Sequence, residues 1–136
     1  MATVERTAEF NAPVDKTFNF IADLSRWPEW VSAVTSISDL SGDGMGATYN
    51  WQFKLGPLPA FNGTGEVTKY IPNKRFEVHT EGGLPSTWLF KFADRGEQVV
   101  VSLDLEYDIP GGGMVSGLVA KQIESGLGLL KGLVES

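Results

Sequence analysis

The sequence predicts an α+β fold in which a curved antiparallel sheet of seven strands wraps around a long C-terminal helix, with two short helices after the first strand. Two observations predict this fold. From Val34 onward, apolar residues recur at every second position, which is the period of a strand. From Val115 to Val134 they recur every three or four residues, which is the period of a helix. A helix with so many apolar side chains must bury them against another element. We therefore expect it to lie on the concave face of the sheet.

The first elements are read from the segment before Val34. Val4–Phe10 is typical of a strand. Pro13 suits the first turn of a helix, where its missing N–H is not needed. The helix that follows places three apolar side chains on one face: Val14, Phe18 and Ile21. A second helical turn carries Trp27, Pro28 and Trp30, and Pro28 is expected to stop it from extending.

The remaining strands are separated by turn residues, mainly Gly, Pro, Asp and Asn. Alternation between apolar and polar side chains is clearest in residues 49–55, 76–81, 87–92 and 99–107. Such strands form an antiparallel sheet with one buried and one solvated face. The segment Phe61–Ile71 is less regular, and Gly63 and Gly65 predict a bulge or bend in it.

Composition limits the function classes. With 136 residues and 42% hydrophobic content, residues 1–136 are expected to form a single domain. The net charge of −6 and the scattered basic residues disfavour binding to nucleic acid. The chain lacks cysteine, which excludes disulfides and thiolate chemistry. No segment has the apolar length of a signal peptide or membrane span, so we expect a cytoplasmic protein without stable membrane insertion.

Several short motifs together resemble those of a known superfamily. They are Pro13-Val14 with Phe18, Asp23 with Trp27-Pro28-Glu29-Trp30, Gly65-Glu66-Val67-Thr68 leading to Pro72, and Tyr107 with Pro110-Gly111. Over essentially the whole chain, the sequence resembles the helix-grip superfamily of the birch pollen allergen and START lipid-transfer domains. Within it, the chain is similar to bacterial polyketide cyclase/dehydrase-like and coenzyme-Q-binding-like proteins. The resemblance implies a helix-grip fold and lipid-like, isoprenoid or polyketide ligands.

Three functions remain open from the sequence. The preferred one is binding or transport of a small hydrophobic molecule in an internal cavity. The first alternative is a polyketide cyclase or dehydratase, in which Glu66, Tyr49 or Tyr107 moves protons. The second is a protein-interaction module with a filled core, of the toxin/antitoxin-like branch that the resemblance includes. The sequence leaves the oligomeric state open.

The candidate ligand-binding residues are large apolar side chains on the predicted inner surface: Trp27, Trp30, Tyr49, Trp51, Trp88, Phe90, Met114 and Leu118. Trp27 and Trp30 can be interpreted as a gate over a cavity or as a plug of the core. The glycines of the last helix, among them Gly117 and Gly126, can make room for a guest or for close packing.

No cofactor or metal is expected. His79 alternates with Phe76, Val78 and Thr80, which places it on the solvated face without a second metal ligand. The glycines 111–113 precede a helix but lack the spacing of nucleotide-binding motifs. Glu66 lies beside the glycines of its strand and could turn inward, where burial would raise its pKa.

Overall fold

The computed structural model describes residues 2–54, 56, 57, 59–108 and 112–135, with the side chains of these residues except 112–116. The strands are β1 (Ala2–Phe10), β2 (Val34–Ser41), β3 (Thr48–Phe53), β4 (Phe61–Ile71), β5 (Arg75–Gly82), β6 (Ser86–Asp94) and β7 (Val99–Tyr107). The helices are α1 (Val14–Ala22), α2 (Trp27–Trp30) and α3 (Gly112–Glu135), with a 3-10 turn at Leu24–Arg26 before α2.

All seven strands belong to one sheet, in the order β1-β7-β6-β5-β4-β3-β2. Each neighbouring pair is antiparallel, and β1 pairs with β7 from Ala2 opposite Tyr107 to Phe10 opposite Val99. The first two strands of the chain therefore form the two edges of the sheet. α3 packs along β1 and against α2, which confirms the predicted helix-grip fold.

The buried stripe of α3 follows the predicted helical period. Its buried side chains are Val119, Ile123, Leu127, Leu130 and Val134. The stripe is narrow, and the apolar side chains of Leu118 and Leu129 outside it are 38% and 50% exposed. Gly126 allows the helix to approach α2, since a Cβ atom there would lie only 2.7 Å from the carbonyl oxygen of Trp30. Gly117, Gly128 and Gly132 of the same helix have no such neighbour.

The short helices close one end of the sheet. Pro13 lies at the N-cap of α1, and the predicted apolar face, including Phe18 and Ile21, is buried. Pro28 lies in the first turn of α2 rather than at its end, and the helix stops at Trp30. A proline in the first turn removes no helical hydrogen bond, so this position needs no distortion of the helix.

The bulge predicted at the glycines of β4 is wrong. The register between β4 and β5 is continuous from Gly63 to Val67 and shifts only between Val67 and Lys69. Both glycines instead accommodate aromatic rings. A Cβ atom on Gly65 would lie 2.2 Å from Cζ of Tyr49, and one on Gly63 would lie 2.6 Å from the indole of Trp51. Glycine is required at both positions because the rings of β3 lie against this strand, and at Gly63 also because a Cβ atom would lie 2.1 Å from the carbonyl oxygen of Glu81.

Candidate functional site

Two small cavities lie between the inner face of the sheet and the helices. We call the first the strand cavity; it is lined by Trp27, Val34, Ile37, Tyr49, Trp51, Phe53, Thr80, Leu84, Ser86 and Trp88. We call the second the helix cavity; it is lined by Val31, Ala33, Phe53, Leu84, Ser86, Trp88, Leu105, Tyr107, Val119, Gln122 and Ile123. The two adjoin, because four residues line both of them: Phe53, Leu84, Ser86 and Trp88.

Both cavities are small. The strand cavity has a volume of about 30 Å³ and the helix cavity about 20 Å³. Each is large enough for one or two water molecules, because a single water needs about 10–15 Å³ by this measure. Leu84 faces both cavities from the turn between β5 and β6 and is 7% exposed. Displacement of this side chain would therefore join the two spaces.

The wall of the strand cavity is fixed by rings packed on glycine. Tyr49 and Trp51 lie across Gly65 and Gly63 of the neighbouring strand, as described above. The indole Nε1 of Trp51 also donates a hydrogen bond to the carbonyl oxygen of Thr64 at 2.9 Å. The two rings therefore have little freedom to turn, and they form a rigid wall.

A short hydrogen-bonded chain crosses the floor that the two cavities share. Trp88 Nε1 donates to Ser86 Oγ at 3.0 Å. Ser86 Oγ contacts Thr80 Oγ1, and Thr80 Oγ1 donates to the carbonyl oxygen of Leu84 at 2.8 Å. With Thr80 donating to that carbonyl, the Ser86 hydroxyl donates to Thr80, so every donor in the chain is used.

One residue that lines the helix cavity, Tyr107, carries a hydroxyl without such a partner. The Tyr107 side chain is 2% exposed, and its hydroxyl is buried without a hydrogen bond to any described residue. Burial raises the pKa of Tyr107, and burial likewise raises the pKa of Tyr49. Both phenols therefore remain protonated at neutral pH, and the Tyr107 hydroxyl is an unused hydrogen-bond donor.

The lining is uncharged. Among the described residues that face the two cavities there is no Asp, Glu, Lys or Arg. A charged molecule placed there would lose its hydration without gaining an ionic partner, at a cost of several kcal/mol. The cavities can therefore accept a neutral apolar molecule that offers one or two polar atoms.

Four of the predicted ligand-binding residues line the cavities: Trp27, Tyr49, Trp51 and Trp88. Trp27 is also anchored, because its Nε1 donates to the carbonyl oxygen of Ile21 at 2.8 Å. Its ring contacts Trp88 with a centroid distance of 5.1 Å. Trp27 thus joins the strand cavity to the packed core beneath α1 and α2.

Trp30 and Phe90 were expected on the cavity wall and line neither cavity. Trp30 is 1% exposed and packs against Phe90 with a centroid distance of 6.1 Å. The ring cluster fills the space that an open wall would need, so Trp30 acts as a plug of the core. Trp30 Nε1 is a second buried group without a hydrogen-bond partner among the described residues.

The two candidates from α3 do not extend the site. Leu118 lies on the exposed side of the helix, because the helix is rotated so that Val119 and Ile123 face the cavity. The expectation that Leu118 lines the cavity is therefore wrong. Met114 lies outside the described side chains.

Glu66 and His79 lie on the outer face of the sheet. Glu66 is exposed and does not take the inward position that was considered for it; Val67 occupies the next buried position after Gly65. His79 is half-exposed, as expected from alternation. Its Nε2 lies 2.6 Å from Glu81 Oε1 and its Nδ1 lies 2.9 Å from Thr87 Oγ1. No group of metal-ligating side chains is found in the described ranges.

Three larger depressions exist, with volumes of about 210, 350 and 510 Å³. They lie on the surface, around Asp23 and Asp43, around Glu66 and His79, and around Asn11 and Arg95. Charged side chains line all three, among them Asp23, Glu66 and Arg95, so their surfaces favour water over a neutral apolar guest. The smaller interior cavities are the better candidate site because their lining is almost entirely apolar and buried.

Sequence reasoning missed three residues that shape the site. Phe53 and Leu84 face both cavities, and Ser86 joins the chain of hydrogen bonds. Leu84 could have been recognised from the sequence, because it is an apolar residue inside the turn Gly82–Pro85, where polar residues are common. Ser86 offered no signal, since its partners come from the fold.

The fold is found in several solved structures of low sequence identity. A protein from Thermus thermophilus is 20% identical, with a TM-score of 0.83 over 98% of this chain and 97% of that one. A START superfamily protein from Mycobacterium smegmatis is 17% identical, with a TM-score of 0.80 over 98% of this chain and 97% of that one. The Zhui aromatase/cyclase from Streptomyces sp. R1128 is 13% identical, with a TM-score of 0.76 over 98% of this chain and 93% of that one.

These likenesses establish the fold. Among curated proteins, no sequence relative matches the chain. Across the described ranges, no helix combines the length and the apolar character needed to cross a bilayer. Residues 1–135 match the protein family described as polyketide cyclase/dehydrase and lipid transport. The helix-grip architecture, the apolar cavities beneath α3 and this match over nearly the whole chain lead to one assignment: the protein belongs to the polyketide cyclase/dehydrase and lipid transport family.

Proposed function

We propose that this protein binds or carries a small hydrophobic molecule between the inner face of the sheet and the first half of α3. The observation that supports it most is the pair of adjoining cavities, with Leu84 and Trp88 facing both. A concave, mostly apolar lining with a few polar groups is typical of small-molecule sites. The family match, which covers lipid transport, supports the same class of ligand.

Binding requires the cavities to widen. Ligand sites for drug-sized molecules usually measure about 300–1,000 Å³, whereas these cavities measure about 30 and 20 Å³. Leu84 is the group proposed to move, because it lies on a turn and faces both spaces. The guest then replaces the contacts of Leu84, and removal of its apolar surface from water provides about 25 cal/mol per Å².

The uncharged lining favours binding over catalysis. A general acid or base is most effective when its pKa lies near the working pH. The phenols of Tyr49 and Tyr107 have pKa values raised by burial, which makes them poor bases at neutral pH. Glu66, the carboxylate considered for proton transfer, lies on the outer face. The cyclase or dehydratase alternative therefore has no favoured base among the described lining residues.

The neutral dye N-phenyl-1-naphthylamine tests the proposal, since its fluorescence rises when it leaves water. We expect saturable binding at one dye per chain, with quenching of tryptophan emission because Trp27, Trp51 and Trp88 surround the cavities. The substitution Leu84→Ala shortens the side chain that is proposed to move when a guest enters. It should tighten dye binding by at least about threefold, since the dye no longer has to displace that side chain.

The matched control is Leu127→Ala. Leu127 is 8% exposed, close to the 7% of Leu84, but it lines neither cavity. Its removal should leave the affinity for the dye unchanged while lowering stability. If neither the natural protein nor Leu84→Ala shows saturable binding, the proposed function is wrong.

A further inference from the structure

We infer that the guest is a neutral molecule with one hydrogen-bond acceptor, such as a ketone or ester oxygen, which the Tyr107 hydroxyl binds. This inference rests on the proposed function. It adds which kind of hydrophobic molecule is selected and how that molecule is oriented in the site. The fold leaves one buried polar group of the site without a hydrogen-bond partner among the described residues.

A buried hydroxyl without a partner is uncommon in a folded protein. The Tyr107 hydroxyl is such a group, and no hydrogen bond to it is found among the described residues. Tyr107 ends β7, where it is held between Ala2 of β1 and Ser86 of β6. Both neighbouring strands fix its backbone, so the ring cannot easily move to find a partner. A ligand atom that accepts this hydrogen bond removes the penalty of an unsatisfied donor.

Of the other polar side chains of the helix cavity, Ser86 is engaged in hydrogen bonds and Gln122 is only half-buried. Ser86 is part of the hydrogen-bonded chain from Trp88 to Leu84, in which every donor is used. Gln122 Oε1 accepts a hydrogen bond from Ser32 Oγ at 2.7 Å at the outer edge of the cavity. Tyr107 therefore supplies the buried donor that remains for a guest.

The charge of the guest follows from the lining. The described residues around both cavities carry no ionised side chain. A carboxylate beside Tyr107 would keep a full negative charge with one hydrogen bond as compensation, and an ammonium group would meet a donor instead of an acceptor. A neutral carbonyl needs one donor and brings no charge.

The orientation of the guest follows from the positions of the two cavities. Its oxygen end lies in the helix cavity against Tyr107, and its apolar body extends past Leu84 toward Tyr49 and Trp51 in the strand cavity. The two rings of that wall lie flat on glycine, so they present a fixed apolar surface to the body. The site thus has one polar and one apolar end.

Three fluorinated probes of one size separate the possibilities: 4-fluoroacetophenone, 1-ethyl-4-fluorobenzene and 4-fluorobenzoate. Their affinities are measured by 19F NMR titration of the full chain and of its Leu84→Ala variant. We expect the ketone to bind about fivefold tighter than the ethyl compound, the factor that one neutral hydrogen bond provides. The carboxylate should bind at least about tenfold more weakly than the ketone.

The variant Tyr107→Phe removes only the hydroxyl. It should abolish the preference for the ketone while it leaves the affinity for the ethyl compound unchanged. Tyr70→Phe is the matched control, because it removes the same hydroxyl from a tyrosine that lines neither cavity, and it should not affect the preference. Thermal unfolding of each variant checks that it is folded.

The outcomes distinguish this inference from the proposed function. Equal binding of ketone and ethyl compound, tighter binding of the carboxylate, or a preference that survives in Tyr107→Phe would overturn the inference and leave hydrophobic binding intact. Absence of binding by all three probes, in the natural chain and in Leu84→Ala, would overturn both.

Discussion

The two ends of the core are built from the same residue types but packed differently. The packed end, beneath α1, is the ring cluster of Phe18, Tyr70, Phe76 and Phe92. Phe18 is fully buried and contacts the other three rings edge to face, with centroid distances of 5.1–6.2 Å. The cavity end, beneath the first half of α3, is formed by Tyr49, Trp51, Phe53, Leu84, Trp88 and Tyr107, and it contains the two cavities.

One core can thus combine stability with a binding site. At the packed end, rings from α1, β4, β5 and β6 meet each other, so every ring has partners. At the cavity end, two rings are turned onto glycines, and the facing positions of α3 carry the smaller side chains of Val119 and Ile123. Space remains because the large groups are held away from the helix. The packed end stabilises the fold, and the cavity end is left free to bind.

The largest expected effect comes from the same substitution at both ends. Phe18→Ala should lower the free energy of unfolding by about 3–5 kcal/mol, because it opens a cavity in a close-packed cluster. Phe53→Ala should cost at least about 1 kcal/mol less, because Phe53 already borders two cavities and loses fewer contacts. Urea denaturation of both variants measures the difference. Equal losses would contradict the comparison between the ends.

A smaller effect is expected at Gly65, against which the ring of Tyr49 packs. Gly65→Ala should lower the free energy of unfolding by about 1–3 kcal/mol, because the new methyl group overlaps the ring of Tyr49. The ring must then turn into the strand cavity, so dye binding should weaken as well. Thermal unfolding and the fluorescence titration measure the two effects.

Gly128→Ala is the matched control for this substitution. Gly128 lies in α3, and a Cβ atom added there would have no described heavy atom of another element within 4 Å, so alanine meets no obstacle. Alanine should raise stability by about 0.5–1 kcal/mol through its higher helix propensity. Opposite signs at the two glycines are expected; a loss of stability at both would mean that the ring contact is not the cause.

The smallest expected effect concerns the hydrogen bonds that Glu135 makes near the C-terminal end of α3. Glu135 accepts a hydrogen bond from the backbone N–H of Asn11 and another from Lys131, and these bonds hold its pKa below the usual value. The resulting stability is present above the pKa of the unfolded chain, about 4.3, and is lost as the pH falls through the lower pKa of the folded chain.

The variant Glu135→Gln tests this pH dependence. Its melting temperature should lie below that of the natural chain at pH 7, and the gap should close as the pH falls below about 4. Glu124→Gln, an exposed position on the same helix, should show a smaller gap at pH 7. A gap that is constant with pH would rule out the carboxylate as its source.

Periodicity was enough to predict most of the elements and the buried faces of the regularly alternating strands. β4 and β7 have the predicted bounds, and the inward residues of β7, from Val99 to Tyr107, are buried as alternation requires. This works because a strand presents every second residue to the same side. The likeness in motifs added the helix-grip topology, which periodicity alone does not provide.

Residue types alone establish which positions are apolar and in which element they lie, because local period and turn chemistry follow directly from residue type. Which of those residues border a cavity depends on the packing of the folded chain. Trp27 and Trp30 are three positions apart, yet one lines the strand cavity and the other is enclosed by Phe90 and α3. Whether a ring fills space or borders it depends on what lies opposite, and residues opposite in space are distant in the chain.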